Sequence, residues 1–361
     1  MTEYKEFTLA AIQASPIFFD REASTEKACR LIEEAADKNA TLAAFGETWL
    51  PGYPFFVVAS YKSPLWWKAA ADYLANAVEI PSPATDRLCA AAKRAGIDVV
   101  IGVVELDNRT RGTVYCTLLF ISCEGKILGR HRKLKPTHIE RTIWGEGDAL
   151  GLTIYERPYG RLSGLNCWEH NMVLPGYALM TQGTQIHVAA WPGWEPERAP
   201  ETPIPLWSRQ LLLSRAFASQ ASCYVIAAGG VSSLDYVPQR YHEFYTGDYK
   251  GDSYIIDPRG EVIAGPAKEE TILMARGSTE AVLAAKAAFD VGGHYSRPDV
   301  LQLLINRSPI ERVIAKNRLY IDGCYKPDIS ADRISDEPSS TTVKEQIDAA
   351  EVLKNFQKST E

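Results

Sequence analysis

The first 45 residues constrain the fold more than anything that follows. Phe7 to Gln13 mixes β-branched, aromatic and small apolar residues and reads as a strand. Ser24 to Lys38 changes period: Ala28, Leu31, Ile32 and Ala35 share one face of a helix. Thr41-Leu-Ala-Ala-Phe45 is a short apolar run that stops at Gly46-Glu47. Strand, helix, strand in so short a span is the β-α-β pattern of an α/β fold.

Downstream, a rigid aromatic loop, Pro51-Gly-Tyr-Pro54, leads to a Trp-rich stretch around Trp66-Trp67. Helical residues return from Ala84 to Ala95, with Gly96 as C-cap. Asp98 to Glu105, Thr113 to Ser122 and Lys126 to Arg132 read as strands, the last two joined by the hairpin signal Glu124-Gly125. Arg161 to Asn166 and Gln185 to Ala190 form another strand pair, with a helix of about a dozen residues expected between them. Leu206 to Ala221 reads as a helix. Strands follow at Cys223 to Ala228, Asp252 to Asp257, Glu261 to Ala264 and Thr271 to Arg276, then a helix from Ser278 to Asp290. About ten strands with four or five helices are too many for one doubly wound sheet. Two mixed sheets packed face to face, with helices outside, would bury these runs; periodicity leaves the topology open.

Beyond Arg307 the composition turns polar and charged. The expected organisation is therefore a single domain over residues 1–307 and an extension over 308–361 that packs on a partner subunit or stays partly mobile. The chain of 361 residues carries a formal charge of −6, which disfavours non-specific nucleic-acid binding. No run is long and apolar enough for a spanning helix, and no basic segment precedes an apolar targeting core at the N-terminus. The expectation is a cytoplasmic protein with no membrane partner. Seven cysteines without a Cys-x-x-Cys pair exclude a zinc knuckle, and six histidines show no zinc spacing, so no metal is expected.

Three side chains at strand ends could carry chemistry. Cys167, in Asn166-Cys167-Trp-Glu-His170, lies where a strand gives way to a helix. That position is expected to expose the sulfur and direct free backbone N–H groups toward it, favouring thiolate. Glu47 ends another strand against aromatic residues, where partial desolvation raises a carboxyl pKa toward that of a general base. Lys133 sits in a basic cluster, Arg130-His-Arg-Lys-Leu-Lys135, that reads as a solvated face or as an ammonium facing developing negative charge. A thiol, a carboxylate and an ammonium permit covalent catalysis without proving it.

The ordered set of motifs narrows this. Gly46-Glu47-Thr-Trp-Leu-Pro-Gly-Tyr-Pro54, His131-Arg-Lys133-Leu-Lys-Pro-Thr-His138-Ile-Glu140-Arg141, Trp144-Gly-Glu-Gly-Asp148 and Cys167-Trp-Glu-His170 occur in sequence. Gly251-Asp-Ser-Tyr-Ile-Ile-Asp-Pro-Arg-Gly260 and Gly293-His-Tyr-Ser-Arg-Pro-Asp299 follow. Together they resemble the nitrilase branch of the carbon–nitrogen hydrolase superfamily, over nearly the whole chain to Arg307. The resemblance implies a four-layer α-β-β-α sandwich of two mixed sheets and a Glu-Lys-Cys triad at Glu47, Lys133 and Cys167. It places the family's second glutamate at Glu140.

It also implies hydrolysis of a small nitrile to the acid and ammonia through a thioimidate and a thioester, with no cofactor. The associated quaternary structure is a homo-oligomer built from dimers and extendable into a helical filament. Thr48, Trp49, Tyr53, Trp168, Ala190, Trp191 and Pro192 are candidates for the pocket wall. Glu169 and His170 complete that set, the first as an early-helix residue and the second as a hydrogen-bonding neighbour rather than a base. A cyanide-converting or amide-hydrolysing member is the alternative, and an inactive interaction scaffold the non-enzymatic one.

Overall fold

The apolar runs pair into two six-stranded sheets. A computed structural model describes residues 4–193, 209–245 and 249–308. All of these fall in one unit, residues 1–311, whereas the second unit, residues 312–361, lies outside the described residues. The first half of the chain runs β1 (Glu6–Gln13), α1 (Arg21–Asp37), β2 (Leu42–Phe45), α2 (Pro64–Ala75) and α3 (Pro83–Ala95). It continues with β3 (Asp98–Leu106), β4 (Val114–Ile121) and β5 (Ile127–Arg132). Next come β6 (Tyr155–Arg157), β7 (Gly160–Asn166), α4 (Val173–Met180), β8 (Ile186–Trp191), α5 (Arg209–Ala221) and β9 (Tyr224–Gly229). The chain then forms β10 (Val231–Ser232), β11 (Tyr249–Lys250), β12 (Tyr254–Ile256), β13 (Val262–Ala264), β14 (Thr271–Ser278) and α6 (Thr279–Ala288).

One sheet has the order β14-β1-β2-β3-β4-β5 and the other β13-β12-β9-β8-β7-β6. β1, β2 and β3 are parallel, as are β7, β8 and β9, while the outer strands pair antiparallel. Parallel neighbours need crossover connections, and α1, α2–α3, α4 and α5 supply them. Side chains alternate along each strand. Leu42 and Ala44 therefore face a core shared with Val188, Ala190, Ile226 and Ala228 of the other sheet. Ala43 and Phe45 face outward onto Ile32, Leu88 and Ala91 of the helices. On the far side, Ala189 and Val225 pack under Leu179 of α4 and Phe217 of α5. The layers run helix, sheet, sheet, helix, as the sequence resemblance implies.

Two local expectations need correction, and one stretch read without an element gains one. The Trp-rich stretch is a helix, α2, capped by Ser63, whose side chain accepts from Leu65 N–H, with Pro64 in the first turn. Between β7 and β8 the anticipated twelve-residue helix is instead a 3₁₀ turn, Cys167–Asn171, followed by the eight-residue α4. Cys167 adopts φ 50°, a left-handed conformation that keeps the strand from running directly into an α-helix. The strand read from Asp252 to Asp257 is only Tyr254–Ile256, because Asp252 also turns left-handed at φ 47°. Residues 206–208 of the anticipated Leu206 helix, and Cys324, lie outside the described residues.

At the end where β2 stops, the backbone is packed without slack. A Cβ on Gly102 of β3 would stand 2.2 Å from Gly46 O and 2.4 Å from Thr48 N. Gly102→Ala should thus destabilise the protein by about 1–3 kcal/mol, as overpacking does. Because the displaced segment carries Glu47, it should also lower at least tenfold any turnover that depends on that carboxyl. Urea denaturation and steady-state kinetics check the pair of effects, and a fully stable, fully active variant contradicts the packing argument.

Candidate active site

Each candidate side chain sits just past the end of a strand, on a backbone anchored by its neighbours. Glu47 follows β2, and its N–H donates to Trp191 O at the end of β8 (2.9 Å), tying one sheet to the other. Thr48 beside it turns left-handed at φ 44°. Lys133 follows β5, with its N–H donating to Cys116 O on β4 (2.7 Å). Cys167 follows β7 in its own left-handed turn. Such turns on non-glycine residues cost on the order of 1 kcal/mol or more and persist where surrounding structure enforces them.

These ends bring charges together out of contact with water. Lys133 Nζ donates to Glu47 Oε1 at 2.6 Å and to Glu140 Oε2 at 2.8 Å, and all three residues are buried. Tyr53 OH donates to the other Glu140 oxygen (2.8 Å), and Thr137 N–H to Oε2 (2.7 Å). The indole of Trp144 lies 5.4 Å below the ammonium. Two carboxylates and one ammonium leave an excess of one negative charge. Burial raises the Glu47 pKa to about 7, with Lys133 opposing and Glu140 reinforcing the shift. For Lys133, burial lowers the pKa, but Glu47, Cys167 and Glu140 outweigh it and hold the ammonium well above its ordinary value. Burial also pushes the Cys167 thiol well up, with Glu47 adding to the rise and Lys133 opposing it.

A second buried network braces the same loops. Glu169 Oε1 accepts from Leu134 N–H (2.8 Å), the residue after Lys133, and Oε2 from Asn166 N–H (2.8 Å), the residue before Cys167. Both oxygens also lie within 3.1 Å of His131 Nε2. Burial acts to raise the Glu169 pKa, but His131 and the amide hydrogen bonds prevail and hold it below the ordinary carboxylate range. His170 Nδ1 donates to Cys167 O (2.7 Å), which leaves its Nε2 to accept from His187 Nε2 at 3.0 Å. Burial lowers the His170 pKa to about 4, so the ring is neutral at physiological pH.

The Carbon-nitrogen hydrolase family profile matches residues 8–286. The chain is 55% identical over 319 residues to "Nitrilase 2" of an unknown prokaryotic organism, covering 88% of this chain and 98% of that one. It is 37% identical to "Aliphatic nitrilase" of Rhodococcus rhodochrous, over 87% of this chain and 88% of that protein. The chain belongs to the nitrilase branch of the carbon–nitrogen hydrolase family. The crystal structure of Saccharomyces cerevisiae Nit3, a member of branch 10 of the nitrilase superfamily, shares the fold. Its TM-score is 0.63 at 18% identity, covering 81% of this chain and 97% of that one.

In this family member, the residues read from the sequence as pocket wall divide. Tyr53, Trp168, His170 and Pro192 are only partly buried. Trp49 is core: its indole donates to Ala14 O (2.7 Å) and packs on Phe45. Ala190 points between the sheets. Trp191 packs under α5, its indole donating to Ser214 Oγ (3.3 Å). Thr48 is fully buried, and Glu169 is spent on the brace rather than on a pocket. Cys167 is 5% exposed, so the expected exposed thiolate is instead a buried thiol. Sequence reasoning missed Cys116, His131 and His187, whose roles depend on contacts between distant strands.

Glu169→Gln should place an amide N–H against donors and cost about 1–3 kcal/mol. It should loosen the Lys133 and Cys167 loops together, lowering both the melting temperature and kcat. A variant with wild-type melting and turnover contradicts the bracing role.

Proposed function

We propose that this chain is a nitrilase that converts a small organic nitrile to the carboxylic acid and ammonia with Glu47, Lys133, Cys167 and Glu140 as its catalytic group. The observation that carries this reading is the buried ammonium held between two carboxylates beside a thiol on a left-handed strand end. It occurs in a chain whose similar relatives are named nitrilases. Glu47 Oε2 is buried and has no hydrogen-bond partner among the described residues, which suits it to take the Cys167 proton.

The sulfur then attacks the nitrile carbon, and the nitrogen takes a proton from Glu47 to give a thioimidate. Lys133 spends two N–H donors on the carboxylates, leaving the third for the nitrogen as charge develops there. Water adds with Glu47 again as base. Glu47 passes that proton to the nitrogen, the adduct's hydroxyl proton follows as the C–N bond breaks, and ammonia leaves with a thioester remaining. A second water hydrolyses it, releasing the acid and restoring the thiol. Glu140 holds the ammonium in line, and Tyr53 holds Glu140.

The same proposal extends to the setting. The six described cysteines are all free thiols, which fits a reducing compartment such as the cytoplasm. Val173, Leu174, Leu301 and Leu304 are exposed apolar side chains, which fits burial in a homo-oligomer built from dimers, with the extension after residue 307 packed on a partner. Among the described residues no helix is long and apolar enough to cross a membrane.

Turnover of phenylacetonitrile, acrylonitrile and cyanide, with the matching amides as competitors, tests the activity by mass spectrometry of the products. Cys167→Ser should retain less than about a tenth of activity, Glu47→Gln should lose about 10²–10⁴-fold, and Lys133→Ala about 10²–10³-fold. Lys135, exposed and paired with Glu146, should matter little on mutation to Ala. An active Cys167→Ser enzyme overturns the nucleophile, and acid formed from amides alone overturns the substrate class. Glu47 must be ionised to accept a proton, so kcat/KM should fall about tenfold per unit as pH drops below about 7. A profile flat down to the ordinary carboxylate range contradicts that role.

A further inference from the structure

A second thiol touches the base. Cys116 on β4 is fully buried, opposite Val104 of β3. Its Sγ–H donates to Glu47 Oε1 at 3.3 Å, the same oxygen that receives Lys133 Nζ at 2.6 Å. Its carbonyl accepts from the Lys133 N–H, so one strand residue holds both the ammonium's backbone and the base's carboxylate. Oε2 of the same carboxylate is buried without a partner among the described residues.

The two oxygens of a free carboxylate are equivalent, and its terminal torsion is broad and roughly two-fold. A flexible lysine alone leaves that torsion soft. A donor from the middle of a sheet fixes it, because β4 pairs with β3 on one side and β5 on the other. We propose that Cys116 is a positioning residue: its thiol locks the plane of the Glu47 carboxylate, occupies Oε1 together with Lys133, and reserves Oε2 for the Cys167 proton. The inference rests on reading Glu47 as the base. The groups facing Glu47 are Lys133, Glu140, Cys116, Cys167 and the Tyr73 hydroxyl. Burial and the Glu47 charge hold the Cys116 pKa well above its ordinary value, so it stays an S–H donor at neutral pH.

The sign of the effect follows. A donor to a carboxylate favours its ionised form. Removing the Cys116 donor should raise the Glu47 pKa and move base-dependent steps to higher pH. A hydrogen bond of ordinary net strength corresponds to a displacement of about 0.5–1 pH unit.

The test uses full-length protein and iodoacetamide as the probe, so it does not depend on which nitrile is preferred. The rate of Cys167 alkylation is followed by peptide mass spectrometry across the neutral pH range. Wild type is compared with Cys116→Ala, with Cys116→Val as a space-filling variant should Ala fold poorly, and with Cys116→Ser, which keeps a hydroxyl donor. The apolar variants should shift the profile upward by about 0.5–1 unit and slow alkylation at neutral pH about 3–10-fold. Serine should recover at least half of the shift. Apolar variants superimposing on wild type, or serine displaced as far as valine, overturn the proposal. Glu47→Gln separates the two readings. If it alkylates like wild type, Glu47 is not the base and both fall. If it is slow while Cys116→Ala and Cys116→Val match wild type, only the role of Cys116 falls.

Discussion

The Lys133 ammonium, buried between Glu47 and Glu140, is the interaction on which the rest of the site depends. Taking three ions out of water costs on the order of several kcal/mol each, and attraction offsets this only if geometry is tight and remaining polar atoms are satisfied. Here Tyr53 and Thr137 complete Glu140, and Cys116 shares an oxygen of Glu47 with the ammonium. One negative charge is left over, and Glu47 carries it at a pKa of about 7. Removing Lys133 would leave two buried carboxylates facing one another, so the cluster should be more fragile to loss of the lysine than to neutralisation of either acid.

Holding such a cluster requires the ends of both sheets to be rigid and close. The hydrogen bond from Glu47 N–H to Trp191 O crosses from one sheet to the other. Close packing at Gly46 and Gly102 leaves no room for side chains between these backbones, whose glycines let the chain pass. Glu169 joins the loop after Lys133 to the residue before Cys167, and His170 grips the Cys167 carbonyl from the other side. Left-handed turns at Thr48 and Cys167 are sustained by this surrounding network rather than by residue preference.

Much of the fold was legible because strand and helix periods are local. Phe7 to Gln13, Ser24 to Lys38 and Thr41 to Phe45 appear within a few residues of their expected ends. The two-sheet count followed from the number of strands, but the pairing order needed long-range contacts, and the family resemblance supplied the sandwich. At the site, Glu47, Lys133 and Glu140 were readable from motifs, and the structure gathers them. Orientation was not readable. Trp49 and Ala190 sit at strand ends near the site but face the helices and the inter-sheet core, a choice set by strand parity and register. The free backbone N–H groups expected around Cys167 suggested a thiolate, yet burial beside two carboxylates dominates and keeps the proton on sulfur. Cys116 looked like any core cysteine because its partner is 69 residues away.

The central claim is that the excess charge of the cluster resides on Glu47 as a carboxyl that titrates near neutrality. Infrared difference spectroscopy across a pH titration reads protonated carboxyl groups directly. The account predicts a buried carboxyl band that disappears with a midpoint near 7 and is absent from Glu47→Gln. A band that titrates in the ordinary carboxylate range, or one that persists unchanged in Glu47→Gln, would contradict it.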